Sequence, residues 1–74
     1  MTDEIYDLEL AIRSARTVSE FEAVDRELGR LHTAYLESGF NPEDVHVAVA
    51  DMDSLIIRKM ALMGLSFPEE RGEV

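Results

Sequence analysis

The chain has 74 residues, with 16 acidic and 7 basic side chains, a net charge of −9 and no cysteine. This length allows one domain, and the absence of cysteine excludes a disulfide framework and a thiolate metal site from it. The negative charge argues against a protein that binds nucleic acid or an anionic membrane surface by charge neutralisation. No run approaches the roughly 18 apolar residues of a membrane span, and the acidic start MTDEIYD lacks the basic region of a signal peptide, so we expect a cytoplasmic protein.

A short first helix is predicted from about residue 3 to residue 15. Thr2 or Asp3 can cap its start, because both side chains accept hydrogen bonds from free amide groups of a first turn. Its apolar face repeats at helical spacing through Ile5, Leu8, Ile12 and Ala15. Tyr6 and Leu10 form an i, i+4 pair on another face, so we expect them to be exposed in a monomer.

A second helix is predicted over residues 19–38. Ser19 with Glu22, and Thr17 with Glu20, both have the spacing of a capping box, so either pair can start it. Its apolar positions follow in alternating steps of three and four, the seam of antiparallel helix packing: Phe21, Val24, Leu28, Leu31 and Tyr35.

A tight turn and a third helix over residues 42–63 complete the predicted fold. Gly39 suits the left-handed residue after a helix, Asn41 can cap the next helix, and Pro42 suits its first position. The principal apolar arc of the third helix contains Val45, Val49, Met52, Ile56, Met60 and Met63. A second stripe beside it, at seven-residue spacing, contains Ala48, Leu55 and Leu62.

These elements predict an all-α protein: a long antiparallel αα-hairpin with a shorter N-terminal helix packed on it, in one domain over residues 1–65. Residues 66–74 are expected to form a polar, flexible tail. Because the first helix has roughly half the length of the hairpin, it leaves part of the apolar surface uncovered. A homodimer that forms a helical bundle is the preferred explanation, and a lone three-helix domain with a groove for a different partner is the alternative.

A contact strip for a partner is predicted along the second helix, where Asp25, Gly29, His32 and Leu36 lie on one side of the apolar seam. Glycine within a helix costs about 1 kcal/mol relative to alanine, so Gly29 is expected to mark a close helix approach. We assign Tyr6, Leu10 and the stripe of Ala48, Leu55 and Leu62 to partner or dimer contacts as well.

Enzyme and cofactor chemistry finds little support in the sequence. Asp53-Ser54-Leu55 resembles the phosphopantetheine motif of acyl and peptidyl carrier proteins, but it falls inside a predicted helix, where Ser54 should face solvent. Glu43 and His46 have the i, i+3 spacing of di-metal helices, without the inward glutamates that such sites need. No nucleophile, base and orienting group can be assembled, so we expect no catalytic residue, no metal and no cofactor.

The favoured function is protein–protein interaction by a small acidic regulator or inhibitor of bacterial or phage type, with a protein partner that can be basic. No direct contact with nucleic acid or membrane is expected. The alternative is an acidic nucleic-acid mimic that blocks the basic groove of a nucleic-acid-binding protein. Its acidic surface would be formed by Glu20, Glu22 and Glu27, next to Asp25.

Overall fold

The structure, a computed structural model, describes residues 2–67 and has three helices: α1 (Thr2–Ser14), α2 (Val18–Glu37) and α3 (Pro42–Leu62). Over these residues the predicted all-α fold is confirmed, and no predicted helix boundary is wrong by more than one residue. Such differences are within the usual uncertainty of a helix end. Most of the predicted tail at 66–74 lies outside the described residues.

A capping box starts α2, and Thr17 rather than Ser19 is its first member. The Thr17 hydroxyl accepts a hydrogen bond from the Glu20 amide at 3.1 Å, and the Glu20 carboxylate accepts from the amides of Thr17, at 3.2 Å, and Arg16, at 2.6 Å. These backbone donors, that of Arg16 first, hold the pKa of Glu20 below its usual value. Ser19 lies inside the first turn of the helix.

The turn between α2 and α3 is a Schellman motif followed by a new cap. Gly39 has φ 91°, a left-handed conformation that glycine adopts without cost from a side chain. The Phe40 amide donates to the Tyr35 carbonyl at 3.2 Å, and their rings meet edge to face with centroids 5.4 Å apart. The Asn41 side chain then accepts from the Glu43 amide at 2.8 Å. The chain therefore reverses within three residues.

The same motif ends α3 and turns the chain back onto the bundle. Gly64 has φ 74°, and the Leu65 amide donates to the Met60 carbonyl at 2.8 Å. Leu65 and Phe67 pack against the core. The assignment of Met63 to the buried arc of α3 is wrong. Met63 is exposed, because it follows the last residue of the helix.

The core runs between the three helices and matches the predicted apolar seams. It contains no buried polar or charged residue among residues 2–67. Its buried members are Leu8, Ile12, Ala15, Phe21, Val24, Leu28, Leu31, Tyr35, Val45, Met52, Ile56 and Met60. Ile5, Val49 and Leu55 are partly buried against it. Helix α1 packs on both members of the hairpin, so the predicted arrangement of a short helix on a long hairpin is confirmed.

Two polar contacts between distant residues fix α1 at its two ends. At its N-terminal end, the Tyr35 hydroxyl donates to Glu4, 2.5 Å from hydroxyl to carboxylate oxygen. At its C-terminal end, the Lys59 ammonium donates to the carbonyl oxygens of Ile12, at 2.8 Å, and Arg13. Helix α1 therefore runs antiparallel to α2 and parallel to α3.

Candidate partner-binding surface

An open groove of about 610 Å³ lies where the last turns of α2 meet the first turns of α3. The tight turn at residues 39–41 sets its position, because it brings the end of one helix alongside the start of the next. The residues that line the groove are His32, Leu36, Pro42, Glu43, Asp44, His46 and Val47. It joins part of the predicted contact strip to a segment of α3 that the sequence analysis did not assign to a partner.

Exposed apolar side chains form much of the groove, with acidic groups beside them. Leu36 is 41% exposed and Val47 is 59% exposed, so each leaves much of its aliphatic side chain in contact with water. Glu43 and Asp44 occupy the first turn of α3 and are exposed. This combination suits a ligand that presents an apolar side chain flanked by positive charge.

The Glu43–His46 pair, which has the spacing of di-metal helices, lies at this groove. Glu43 and His46 both line the groove, yet residues 2–67 contain no group of three or more His, Asp or Glu side chains placed to hold a metal ion. Ser54 is exposed in the middle of α3, as expected, rather than at a helix start.

Only part of the predicted strip on α2 lines the groove. His32 and Leu36 line it, whereas Asp25 and Gly29 lie nearer the start of α2 and do not. Asp25 is half-buried. A Cβ atom built on Gly29 would have no atom within 4 Å, so the close helix approach that we expected at this glycine does not occur among residues 2–67.

The other predicted contact residues lie on a different side of the bundle. Tyr6 and Leu10 are exposed on α1, as the sequence predicts. Leu55 and Leu62 border a shallow cleft of about 160 Å³ between α1 and α3, next to Ile12. Leu55 and Ala48 are half-buried, and Leu62 is 83% exposed. The predicted contact set therefore does not form one surface. His32 and Leu36 line the groove between α2 and α3, and Leu55 and Leu62 border the cleft between α1 and α3.

The predicted acidic surface is divided as well. Glu20 belongs to the capping box. Glu27 forms a two-pronged ion pair with Arg30, which lowers the pKa of the Glu27 carboxyl. Glu22 is half-buried, and two residues after Glu20 it points to another side of α2. Two of the three carboxylates are thus engaged within the chain.

Comparisons with known protein families, with curated proteins and with solved structures found no match to this chain. Among residues 2–67, no helix has the length and apolar character needed to cross a membrane. The function of the chain is therefore inferred from its residues and their geometry.

Sequence reasoning did not assign the α3 residues of the groove to a partner: Pro42, Glu43, Asp44, His46 and Val47. Val47 lies on the side of α3 opposite its principal apolar arc, so periodicity alone gives it no role. The signal that could have found it is the three-residue turn, because such a turn brings the end of one helix alongside the start of the next. Leu36 and Val47 come from these two segments and line the same groove.

Proposed function

We propose that this chain is a non-enzymatic cytoplasmic protein that self-associates and regulates or inhibits another protein by binding it in the groove between α2 and α3. The partner presents an apolar side chain to Leu36 and Val47, and Lys or Arg side chains to Glu43 and Asp44. The observation that carries this proposal is the groove itself, where exposed aliphatic groups from two helices adjoin two carboxylates.

Charge supports the same class of partner. The chain carries −9 at neutral pH, so a basic protein is attracted at long range, and rim carboxylates then favour its correct orientation. Burial of apolar side chains contributes about 25 cal/mol per Å² of surface removed from water. Affinity then depends on the apolar contact, whereas the association rate and its salt dependence follow from the carboxylates.

A capture experiment from the source cell tests the proposal. The wild-type chain is immobilised beside Leu36→Glu and Val47→Glu, which place a charge in the groove. Leu10→Glu is the matched control, because Leu10 is about as exposed as Leu36 but lies on α1, outside the groove. We expect a bound protein that both groove variants lose and the control retains, with less capture as salt increases.

Acidic mimicry predicts a different result in the same experiment. Charge reversal at Glu20, Glu22 and Glu27 would then abolish capture, while Leu36→Glu and Val47→Glu would still bind. Equal capture by the wild type and by both groove variants contradicts the proposed function.

A further inference from the structure

Helix α3 carries a regular stripe on the side that faces away from α2 and borders α1. Ala48, Leu55 and Leu62 recur along it at seven-residue spacing, which keeps side chains on one side of a helix. Leu62 at its end is 83% exposed, although leucine is a residue type usually found inside proteins. Ala48 and Leu55 are half-buried, whereas no residue among 2–67 covers Leu62.

Two opposite charges accompany the stripe at the same spacing. Asp51 and Arg58 are exposed, lie seven residues apart and share this side of α3. Neither has an ion-pair partner among residues 2–67. The charges are too far apart to pair with each other along one helix, since seven residues span about 10 Å.

We infer that this stripe binds a second copy of the chain, with the two α3 helices antiparallel and a two-fold axis beside Leu55. The inference rests on the self-association in the proposed function and assigns it a surface. Leu55 lies midway between Ala48 and Leu62 in sequence, and within one residue of the midpoint of Asp51 and Arg58. One axis therefore satisfies the apolar and the charged positions together.

The pairs that this axis creates are complementary. Leu62 of one copy packs on Ala48 of the other, a large side chain against a small one, and the two Leu55 side chains meet at the axis. Asp51 of each copy faces Arg58 of the other, so the dimer contains two ion pairs between charges that have no partner within residues 2–67 of one copy.

Sedimentation equilibrium across micromolar concentrations, with charge-reversed variants, tests this interface. We expect the wild type at twice the 8.4 kDa of one chain. Asp51→Arg and Arg58→Asp should each weaken dimerisation about tenfold or more, because each places like charges opposite each other at two positions. The double variant should recover the dimer, since it exchanges the two charges and restores both pairs. General destabilisation cannot produce that recovery.

Leu62→Glu and Ile57→Glu form a matched pair, because both residues are exposed on α3 and only Leu62 belongs to the stripe. Leu62→Glu should be a folded monomer by circular dichroism, and Ile57→Glu should remain a dimer. If Leu62→Glu and both single charge reversals leave the dimer unaffected, this interface is wrong, but self-association by another surface is not contradicted. A monomeric wild type contradicts both this interface and self-association. Binding of a partner in the groove is tested by the capture experiment and does not depend on either result.

Discussion

The Lys59 ammonium lies 2.8 Å from the Ile12 carbonyl oxygen and also donates to the Arg13 carbonyl, so a side chain of α3 caps the C-terminus of α1. The last carbonyl groups of a helix lack partners within it and carry partial negative charge. A lysine from another helix satisfies them and links two elements that are far apart in sequence. Helix α1 has only 13 residues, a length that is marginal without tertiary contacts.

Lys59→Met should lower the free energy of unfolding by about 1–2 kcal/mol, because it keeps the apolar stem and removes the charged donor. Urea denaturation followed by circular dichroism measures the change. Arg26→Met is the control, since Arg26 is exposed and has no ion-pair partner among residues 2–67; its effect should stay within about 0.5 kcal/mol. Equal effects of the two substitutions would refute the capping role.

The contact between Tyr35 and Glu4 predicts a loss of stability in alkali. Burial, then the hydrogen bond to Glu4 and its negative charge, raise the pKa of Tyr35 from 10.0 to about 12. Below pH 10 the phenol is neutral in both states and its full contribution is present. As the pH rises from about 10 to 12, the unfolded phenol ionises first, so the free energy of unfolding should fall by on the order of 1 kcal/mol.

Tyr35→Phe provides the test of that pH dependence. It should cost about 1 kcal/mol at pH 7 through the lost hydrogen bond, and its stability should fall less than that of the wild type between pH 10 and 12. Urea titrations at several pH values compare the two proteins. If both curves fall equally, Tyr35 is not the group responsible.

The two sequence-level alternatives for the start of α2 can be separated by mutation. Thr17→Ala removes the hydroxyl that accepts from the Glu20 amide, and it should destabilise the protein by about 1 kcal/mol. Ser19→Ala changes a residue inside the first turn and should be neutral or slightly stabilising, since alanine has the higher helix propensity. Thermal and urea unfolding of both variants provide the comparison. A larger loss at Ser19 would reject Thr17 as the cap.

Gly29 and Gly39 should respond to alanine in opposite directions. Gly29 has helical geometry and open space around its Cβ position, so Gly29→Ala should stabilise the chain by about 0.5–1 kcal/mol. Gly39 has φ 91°, and an alanine there should cost about 1–2 kcal/mol. Urea unfolding of the two variants measures this difference. Destabilisation by Gly29→Ala would indicate a contact at that position that the single chain does not contain.

Local signals explain why most of the fold could be predicted from the sequence. Gly39 and Asn41 mark the turn by backbone conformation and capping, and the buried seam of α2 follows from periodicity alone. Lys59 and Glu4 could not be assigned in this way. Their partners lie on other helices, and a solvated lysine or glutamate has the same sequence pattern as one with a tertiary contact. Met63 was misassigned because periodicity does not mark where a helix ends.

The candidate groove was only half visible in the sequence. Leu36 and His32 were identified because they flank an apolar seam, whereas Val47 and Asp44 gain significance only when α2 lies beside α3. The same limit applies to the acidic residues. Composition counts Glu20 and Glu27 as surface charge. The structure selects the Thr17–Glu20 capping box from two alternatives in the sequence, and it shows that Glu27 pairs with Arg30.

Mapping the bound partner on the chain by methyl NMR tests the proposed partner site most directly. With the captured protein added to labelled chain, we predict that the methyl signals of Leu36 and Val47 shift or broaden, while those of Leu10 remain unchanged. Changes confined to residues around Glu20, Glu22 and Glu27, with Leu36 and Val47 unaffected, would contradict binding in the groove and favour acidic mimicry.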